Sequence, residues 1–171
     1  MGVEIYPLDR VELDGKSIFL GMKRAEVEAA IGAGQVVRGN EQYYYRNEMK
    51  VVYDKDEKVE FVEFLGGIDG LLKPMIYGVS VFDTDAEKLV ELLTQKNSGS
   101  VRDEEQGYSY QFMEISVGLY REIRPQDVLE MIEEMKADGI PVEGNEDLEA
   151  DKRRAEHWAT IGFGVAGYYE R

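Results

Sequence analysis

The chain has 171 residues, 43 % of them hydrophobic, which is enough to bury roughly two thirds of the unfolded surface without a disulfide or a metal. Cysteine is absent, which excludes disulfide scaffolds, thiolate zinc sites, iron–sulfur ligation and cysteine nucleophiles. With 35 acids against 20 bases the net charge is −15, which argues against nucleic acid as a ligand, and no apolar run approaches the roughly 18 residues of a membrane span.

Residues 1–10 have neither a basic start nor an apolar core, so no signal peptide is expected and a cytoplasmic location is. Glu4 to Leu20 alternates loosely, as an edge strand or extended arm would. Gly21 and Met22 lead into a helix over 23–31 with Val27, Ala30 and Ile31 on one face, and Gly32 suits a left-handed stop. A tyrosine-rich strand is expected over 42–46, a second over 49–53, and a third over 58–65. A strand at 75–81 follows, then a helix opened by a Thr84–Glu87 capping box and carrying Ala86, Leu89, Val90 and Leu93 on one side. Residues 108–113 and 114–120 read as a hairpin. Pro125 fits the first turn of a third helix lined by Val128, Met131, Ile132 and Met135, with Asp138-Gly139 as its stop. Residues 143–151 are an acidic loop or helix start, 151–158 a short helix, and 160–169 a closing strand with glycines at 162, 164 and 167.

The order glycine, helix, tyrosine strand, aliphatic strand occurs twice, over about 17–66 and 75–122. The expected fold is therefore α+β: one domain over 1–171 made of tandem helix-plus-antiparallel-sheet units, completed by a C-terminal helix and closing strand in 123–171.

The charge is uneven. Residues 103–151 hold 15 acids and 3 bases, or −12, most of the net charge of the chain. One reading is a solvated face that keeps the protein soluble. The other is an electrostatic lure for a basic protein, since such fields raise association rates and weaken with salt.

Catalytic patterns are poor. His157 is the one histidine, and its charged surroundings suit a surface or helix-end position. No Gly-x-Ser-x-Gly elbow accompanies it. Glycines 162, 164 and 167 have dinucleotide-loop spacing but lack the following helix and acid, so they are expected to let a strand bend or lie close to a neighbour. Asp54-x-Asp56 and the run 143–151 do not fit a calcium loop. Closely spaced carboxylates also occur in glycosidases, but so acidic a chain always offers such pairs. No catalytic residue, metal site or cofactor is expected. Tyr43, Tyr44 and Tyr45 cannot all point inward from one strand, so this stretch is an ordinary sheet surface or a tyrosine-lined binding face.

Gly21-Met22-Lys-Arg-Ala-Glu-Val27 and its following strands resemble the helix entry of small bacterial helix–sheet domains, such as outer-membrane barrel-assembly lipoproteins and the tandem β-lactamase inhibitor proteins. The lipidated cysteine of the former is missing, so their role is not carried over. Residues 155–169, Ala-Glu-His-Trp-Ala-Thr-Ile-Gly-Phe-Gly-Val-Ala-Gly-Tyr-Tyr, after an acidic stretch, resemble the ending of small cytosolic immunity-type proteins of polymorphic or contact-dependent toxin systems. That resemblance implies a non-enzymatic inhibitor that occludes a basic, nuclease-like toxin domain. On this expectation Asp103, Glu104, Glu105, Glu143, Glu146, Asp147, Glu149 and Asp151 would pair with the partner's lysines and arginines, and Tyr43, Tyr45, Tyr108 and Tyr110 would anchor it. The alternative is an assembly module of helix–sheet type whose acidity serves only solubility.

Overall fold

The computed structural model describes residues 1–171, apart from the Val37 side chain. Its first segment is not the single arm that its alternation predicts. It forms three short strands, β1 (Val3–Tyr6), β2 (Arg10–Leu13) and β3 (Lys16–Phe19), because Leu8, Asp14 and Gly15 adopt positive φ and reverse the chain twice. The expected strand over 75–81 likewise splits into β8 (Met75–Ile76) and β9 (Val79–Ser80), since Tyr77 and Gly78 both have positive φ, the two-residue hairpin geometry. β8 pairs in parallel with β1, giving a small sheet of order β3-β2-β1-β8-β9.

The large sheet has eight strands. Helix α1 (Arg24–Ile31) precedes the meander β4 (Gln35–Arg38), β5 (Glu41–Tyr44), β6 (Met49–Tyr53) and β7 (Val59–Phe64). Helix α2 (Ala86–Asn97) precedes β10 (Val101–Arg102), β11 (Ser109–Phe112) and β12 (Val117–Tyr120). Helices α3 (Pro125–Ala137) and α4 (Glu146–Ala155) intervene before β13 (Thr160–Gly164). The strand order β10-β11-β12-β13-β7-β6-β5-β4 joins the two meanders at one antiparallel seam, with Phe163 opposite Val62 and Ile161 opposite Phe64. The innermost strand of the second unit therefore lies beyond residue 122. The closing strand also ends at Gly164, short of 169, because Gly167 (φ 77°) turns the chain back over the sheet.

Strand alternation separates the two faces of this sheet. Val101, Phe112, Val117, Phe163, Val62, Val51 and Gln42 form one cross-strand row on the inner face. Onto it pack Val27 of α1, Ala86, Leu89 and Leu93 of α2, and Val3, Ile5, Val11, Leu13, Ile18 and Ile76 of the small sheet, in one continuous core. Each such large aliphatic or aromatic burial contributes about 1.5–3 kcal/mol. Gln42 is fully buried there, and its amide is satisfied by Glu28, the Ala33 carbonyl and the Tyr44 and Tyr53 hydroxyls. The next row, one residue on, lies on the outer face: Arg102, Gln111, Gly118, Gly162, Glu63, Lys50, Tyr43 and Gln35. Tyr169 lies over Gly118 and Gly162, and Tyr168 stacks on Phe61 with ring centroids 4.5 Å apart.

The cap of α2 departs from the capping box its sequence suggests. Asp85 is the N-cap, accepting from the Glu87 and Lys88 amides at 3.1 and 3.2 Å, while the Thr84 hydroxyl donates to the Ser80 carbonyl.

Candidate functional site

β12 and β13 are antiparallel neighbours, with Tyr120 opposite Thr160, and a loop of about 2–5 residues suffices for such a connection. The chain instead spends residues 121–159 on α3 and α4. Local signals account for both helices. Pro125 occupies the first turn of α3, and the Arg124 amide donates to Asp127 Oδ2 at 2.7 Å. Gly139 (φ 70°) ends α3, and Asn145 caps α4 by accepting from the Leu148 amide at 3.0 Å. The pair has a small core of its own, Val128, Leu148 and Ala155, flanked by Ile123, Ile132, Met135 and Val142.

Arg121 anchors the neck of this hairpin. It is 3 % exposed and lies over the Trp158 ring, 4.5 Å from the centroid. Its guanidinium donates to the Gly107 carbonyl, the Ala155 carbonyl and Glu87 at 2.9, 3.1 and 3.2 Å. The Ala159 amide donates to the Tyr120 carbonyl at 2.9 Å and closes the neck.

Along α3 and at the far end of the hairpin a run of acids goes unneutralised. Glu130, Glu133, Glu134, Asp138, Glu143, Glu146 and Asp147 are all exposed, and among the described residues none has a cationic partner within ion-pair distance. The acids of Glu146, Asp147 and Glu149 have a local explanation, because they sit in the first turn of α4, where the helix dipole favours negative charge. Glu133, Glu134 and Asp138 do not. They crowd the C-terminal end of α3, where the backbone carbonyls already carry partial negative charge and Lys136 is the lone basic residue of the last turn. Each acid there costs a few tenths of a kcal/mol, and a sequence selected for helix stability alone places Lys or Arg instead.

The predicted acids do not form one patch. Asp103, Glu104 and Glu105 are exposed on the β10–β11 loop, and Asp103 accepts from the Gly107 amide at 2.6 Å, shaping its own turn. That loop is tied to the start of α3, where Arg124 donates to the Gln106 carbonyl at 2.9 Å and the Tyr108 hydroxyl donates to Asp127 at 2.8 Å. Glu143, Glu146, Asp147 and Glu149 lie at the other end of the hairpin, separated by the 13 residues of α3, or about 20 Å of helix. Asp151 is half-buried and pairs with Arg154 at 3.8 Å.

The tyrosines disperse as well. Tyr43 lies on the outer sheet face opposite Lys50 and Gln35. Tyr45 has left the strand, with Tyr45, Arg46 and Asn47 all at positive φ in the β5–β6 turn. Tyr110 packs edge-on against Trp158 on the inner side, where burial pushes its hydroxyl pKa up. Tyr108 lies under the Arg124 guanidinium, and its hydrogen bond to Asp127 raises its pKa. In the same cluster the Arg124 side chain holds Asp127 well below the usual carboxylate range. Sequence reasoning passed over Glu130, Glu133, Glu134 and Asp138; for the last three the readable signal was acids at a helix end that disfavours them.

A cleft of about 430 Å³ lies between the hairpin neck and the 65–69 loop, lined by Ile68, Asp69, Glu122, Arg154, His157 and Trp158 among others. Its charges are mixed, and Arg154 bridges Asp69 at 3.4 Å. His157 Nδ1 is 2.6 Å from the Arg153 carbonyl, which places a proton on Nδ1 and fixes the ring at the end of α4. Among the described residues no group of three or more His, Cys, Asp or Glu is placed to hold a metal ion, and no helix is long and apolar enough to cross a membrane. Comparison of the chain with protein-family models, with curated proteins and with solved structures finds no match.

Proposed function

We propose that this chain is a non-enzymatic binding protein that captures a basic partner through the α3–α4 hairpin, in the manner of an immunity-type inhibitor occluding a nuclease-like toxin domain. The observation that carries the reading is the unpaired acid array along α3 and at the far end of an excursion that the sheet does not need. Long insertions between adjacent strands are where function concentrates. Carboxylates there meet the cations that a nuclease presents to phosphate, and the attraction acts chiefly on the association rate. A second reading, an assembly module whose acids serve solubility, draws support from Glu146, Asp147 and Glu149, whose placement the α4 dipole already explains.

The two readings separate in one experiment. The partner to test first is the product of the adjacent gene, with association and dissociation rates measured at stepped salt. Reversing Glu130, Glu133 and Glu134 to Lys should slow association about tenfold or more, with less effect on dissociation. The same reversal of Asp103, Glu104 and Glu105 at the neck should do less. Unchanged association in both variants would leave solubility as the whole role of the charge.

A further inference from the structure

On its outer face the large sheet has a floor of glycine where β12 meets β13. Gly118 and Gly162 stand directly opposite each other, and Gly164 is the next outward position of β13. Glycine weakens a strand interior, and in a strand it marks a place where something approaches the backbone closely. Here that something is the chain's own segment 165–171. Tyr169 lies over Gly118 and Gly162, Tyr168 lies over Gly164, and a Cβ on any of these glycines would run into those side chains or into Phe61. Tyr168 stacks on Phe61 with centroids 4.5 Å apart, and the two tyrosines meet edge-on at 5.3 Å. Arg171 reaches Glu60 on β7 at 2.7 Å, while Arg102 on β10 donates to the Tyr169 carbonyl at 3.2 Å.

The segment is held as a peptide ligand is held, not as a strand. Strand pairing of β13 stops at Gly164. Val165 makes the next backbone bonds to the sheet, its amide donating to the Glu60 carbonyl at 3.0 Å and its carbonyl accepting from the Ser116 hydroxyl at 2.8 Å. Beyond it the backbone bonds turn local, with the Tyr168 amide donating to the Val165 carbonyl and the Glu170 amide to the Gly167 carbonyl. Anchoring falls to two rings in a slot and one guanidinium on a carboxylate, so lifting residues 166–171 breaks no bond between strands. The slot also has a chemical preference. Glu63 faces Gly162 across the seam and Glu60 stands beside the Arg171 guanidinium, which favours a segment that carries a cation and disfavours an acidic one.

We propose that this slot is a peptide-recognition site for an aromatic pair followed by a cation, of the type Tyr-Tyr-x-Arg, and that residues 168–171 fill it as an internal ligand. One ring covers the glycine floor, the second stacks on Phe61, and the cation meets Glu60. A short tether supplies a local concentration that is roughly millimolar. The attached segment therefore excludes a free segment of the same type, and the site opens once the attached one is lifted. The slot lies on the sheet, apart from the α3–α4 hairpin, and owes nothing to the acids there.

The test uses the full chain and a labelled synthetic peptide of residues 166–171, with a control peptide in which both tyrosines are serine. Binding is read by fluorescence anisotropy. Tyr168→Ala with Tyr169→Ala empties the slot. Gly167→Val lifts the segment by a second route and keeps both tyrosines, because a β-branched residue is strained at the φ of 77° found there. Cooperative urea unfolding shows which variants are folded. A folded, emptied chain should bind the tyrosine peptide about tenfold more tightly than it binds the serine control, and about tenfold more tightly than the wild-type chain binds it. Adding Gly118→Ala to the emptied chain should remove that preference, because the new methyl stands where the Tyr169 ring lies. Equal binding of the two peptides by a folded, emptied chain overturns the proposal. So does a wild-type chain that binds as tightly as the emptied one, or a Gly118→Ala variant that binds undiminished.

Discussion

Tyr169 and Gly118 should be strongly coupled, and a double-mutant cycle measures it. A Cβ built on Gly118 comes within 2.3 Å of Tyr169 Oη and 2.7 Å of Cζ, and its three nearest atoms all belong to that ring. The ring cannot simply slide away, because it packs edge-on against Phe61 and Tyr168, and Arg102 donates to the Tyr169 carbonyl at 3.2 Å. Gly118→Ala should therefore destabilise the chain by about 1–3 kcal/mol, the usual range for overpacking. Tyr169→Ala removes a partly buried ring and should cost about 2 kcal/mol, roughly half of the loss for a fully buried aromatic. Without that ring the space over Gly118 is open, and Ala is favoured over Gly in a strand by about 0.5 kcal/mol. The double variant should thus be more stable than the two single effects predict, by about 2 kcal/mol. Urea unfolding followed by far-UV circular dichroism gives all four corners. Gly162 serves as control: its Cβ would meet Phe61 Cζ at 2.2 Å and Tyr169 Oη only at 3.2 Å, so Gly162→Ala stays destabilising in either background. Additivity within about 0.5 kcal/mol for the Gly118–Tyr169 pair would refute the packing argument.

Three further expectations concern stability. Asp85→Ala should cost about 1 kcal/mol through loss of the α2 cap, and Thr84→Ala clearly less, as thermal or urea unfolding will show. Arg121→Met should cost about 2–4 kcal/mol, because the Gly107 and Ala155 carbonyls lose their donor, and Arg121→Lys should rescue little of it, since one ammonium cannot span three acceptors and stack on Trp158. Asp127 has a folded-state pKa below its unfolded value, chiefly from the Arg124 side chain. Its contribution is therefore present above the unfolded carboxylate pKa of about 3.9 and is lost as pH falls through the folded value. The stability gap between wild type and Asp127→Asn should narrow as unfolding is repeated from pH 6 towards pH 2; a gap that widens contradicts the sign.

Much of the architecture is legible from the residues, and the failures have identifiable causes. Helices α1, α2 and α3 follow from apolar spacing and stop signals, and β6, β7, β11 and β12 from alternation. The strands that escape notice are short or at an edge: β10 has two residues, and β4 begins just after Gly32 and Gly34. β1 to β3 read as one arm because Leu8 reverses the chain at positive φ without a glycine, and because the Asp14-Gly15 turn, which the sequence does signal, was passed over. The acidity of 103–151 is plain in the sequence, but whether its acids meet depends on α3 holding the two clusters apart, which composition does not reveal. The tyrosines mislead for a similar reason: Tyr45 sits in a left-handed turn, and Tyr110 takes the inner face. Gly162 and Gly164 fulfil their expectation of close approach, with Phe61, Tyr169 and Tyr168 as the neighbours that approach, whereas Gly167 lies beyond the strand and makes a left-handed turn.

The seam between β7 and β13 also sets the order of assembly. Its partners, such as Phe64 and Ile161, stand nearly a hundred residues apart, among the most non-local pairings in the chain. Everything up to β12 can form as two half-sheets, yet each half then ends in a bare edge, β7 on one and β12 on the other. Contacts of such high contact order form late, since the loop must close before they contribute anything. Until then a single gap one strand wide exposes two rows of unpaired amides and carbonyls, a ready template for a foreign strand. The strand that fits best is β13 of another molecule, so slow seam closure favours exchanged dimers at high concentration. Refolding at stepped protein concentration makes this visible: exchange yields a dimer fraction that grows with concentration, and a yield of monomer independent of concentration argues that the seam closes within the molecule before a second chain arrives.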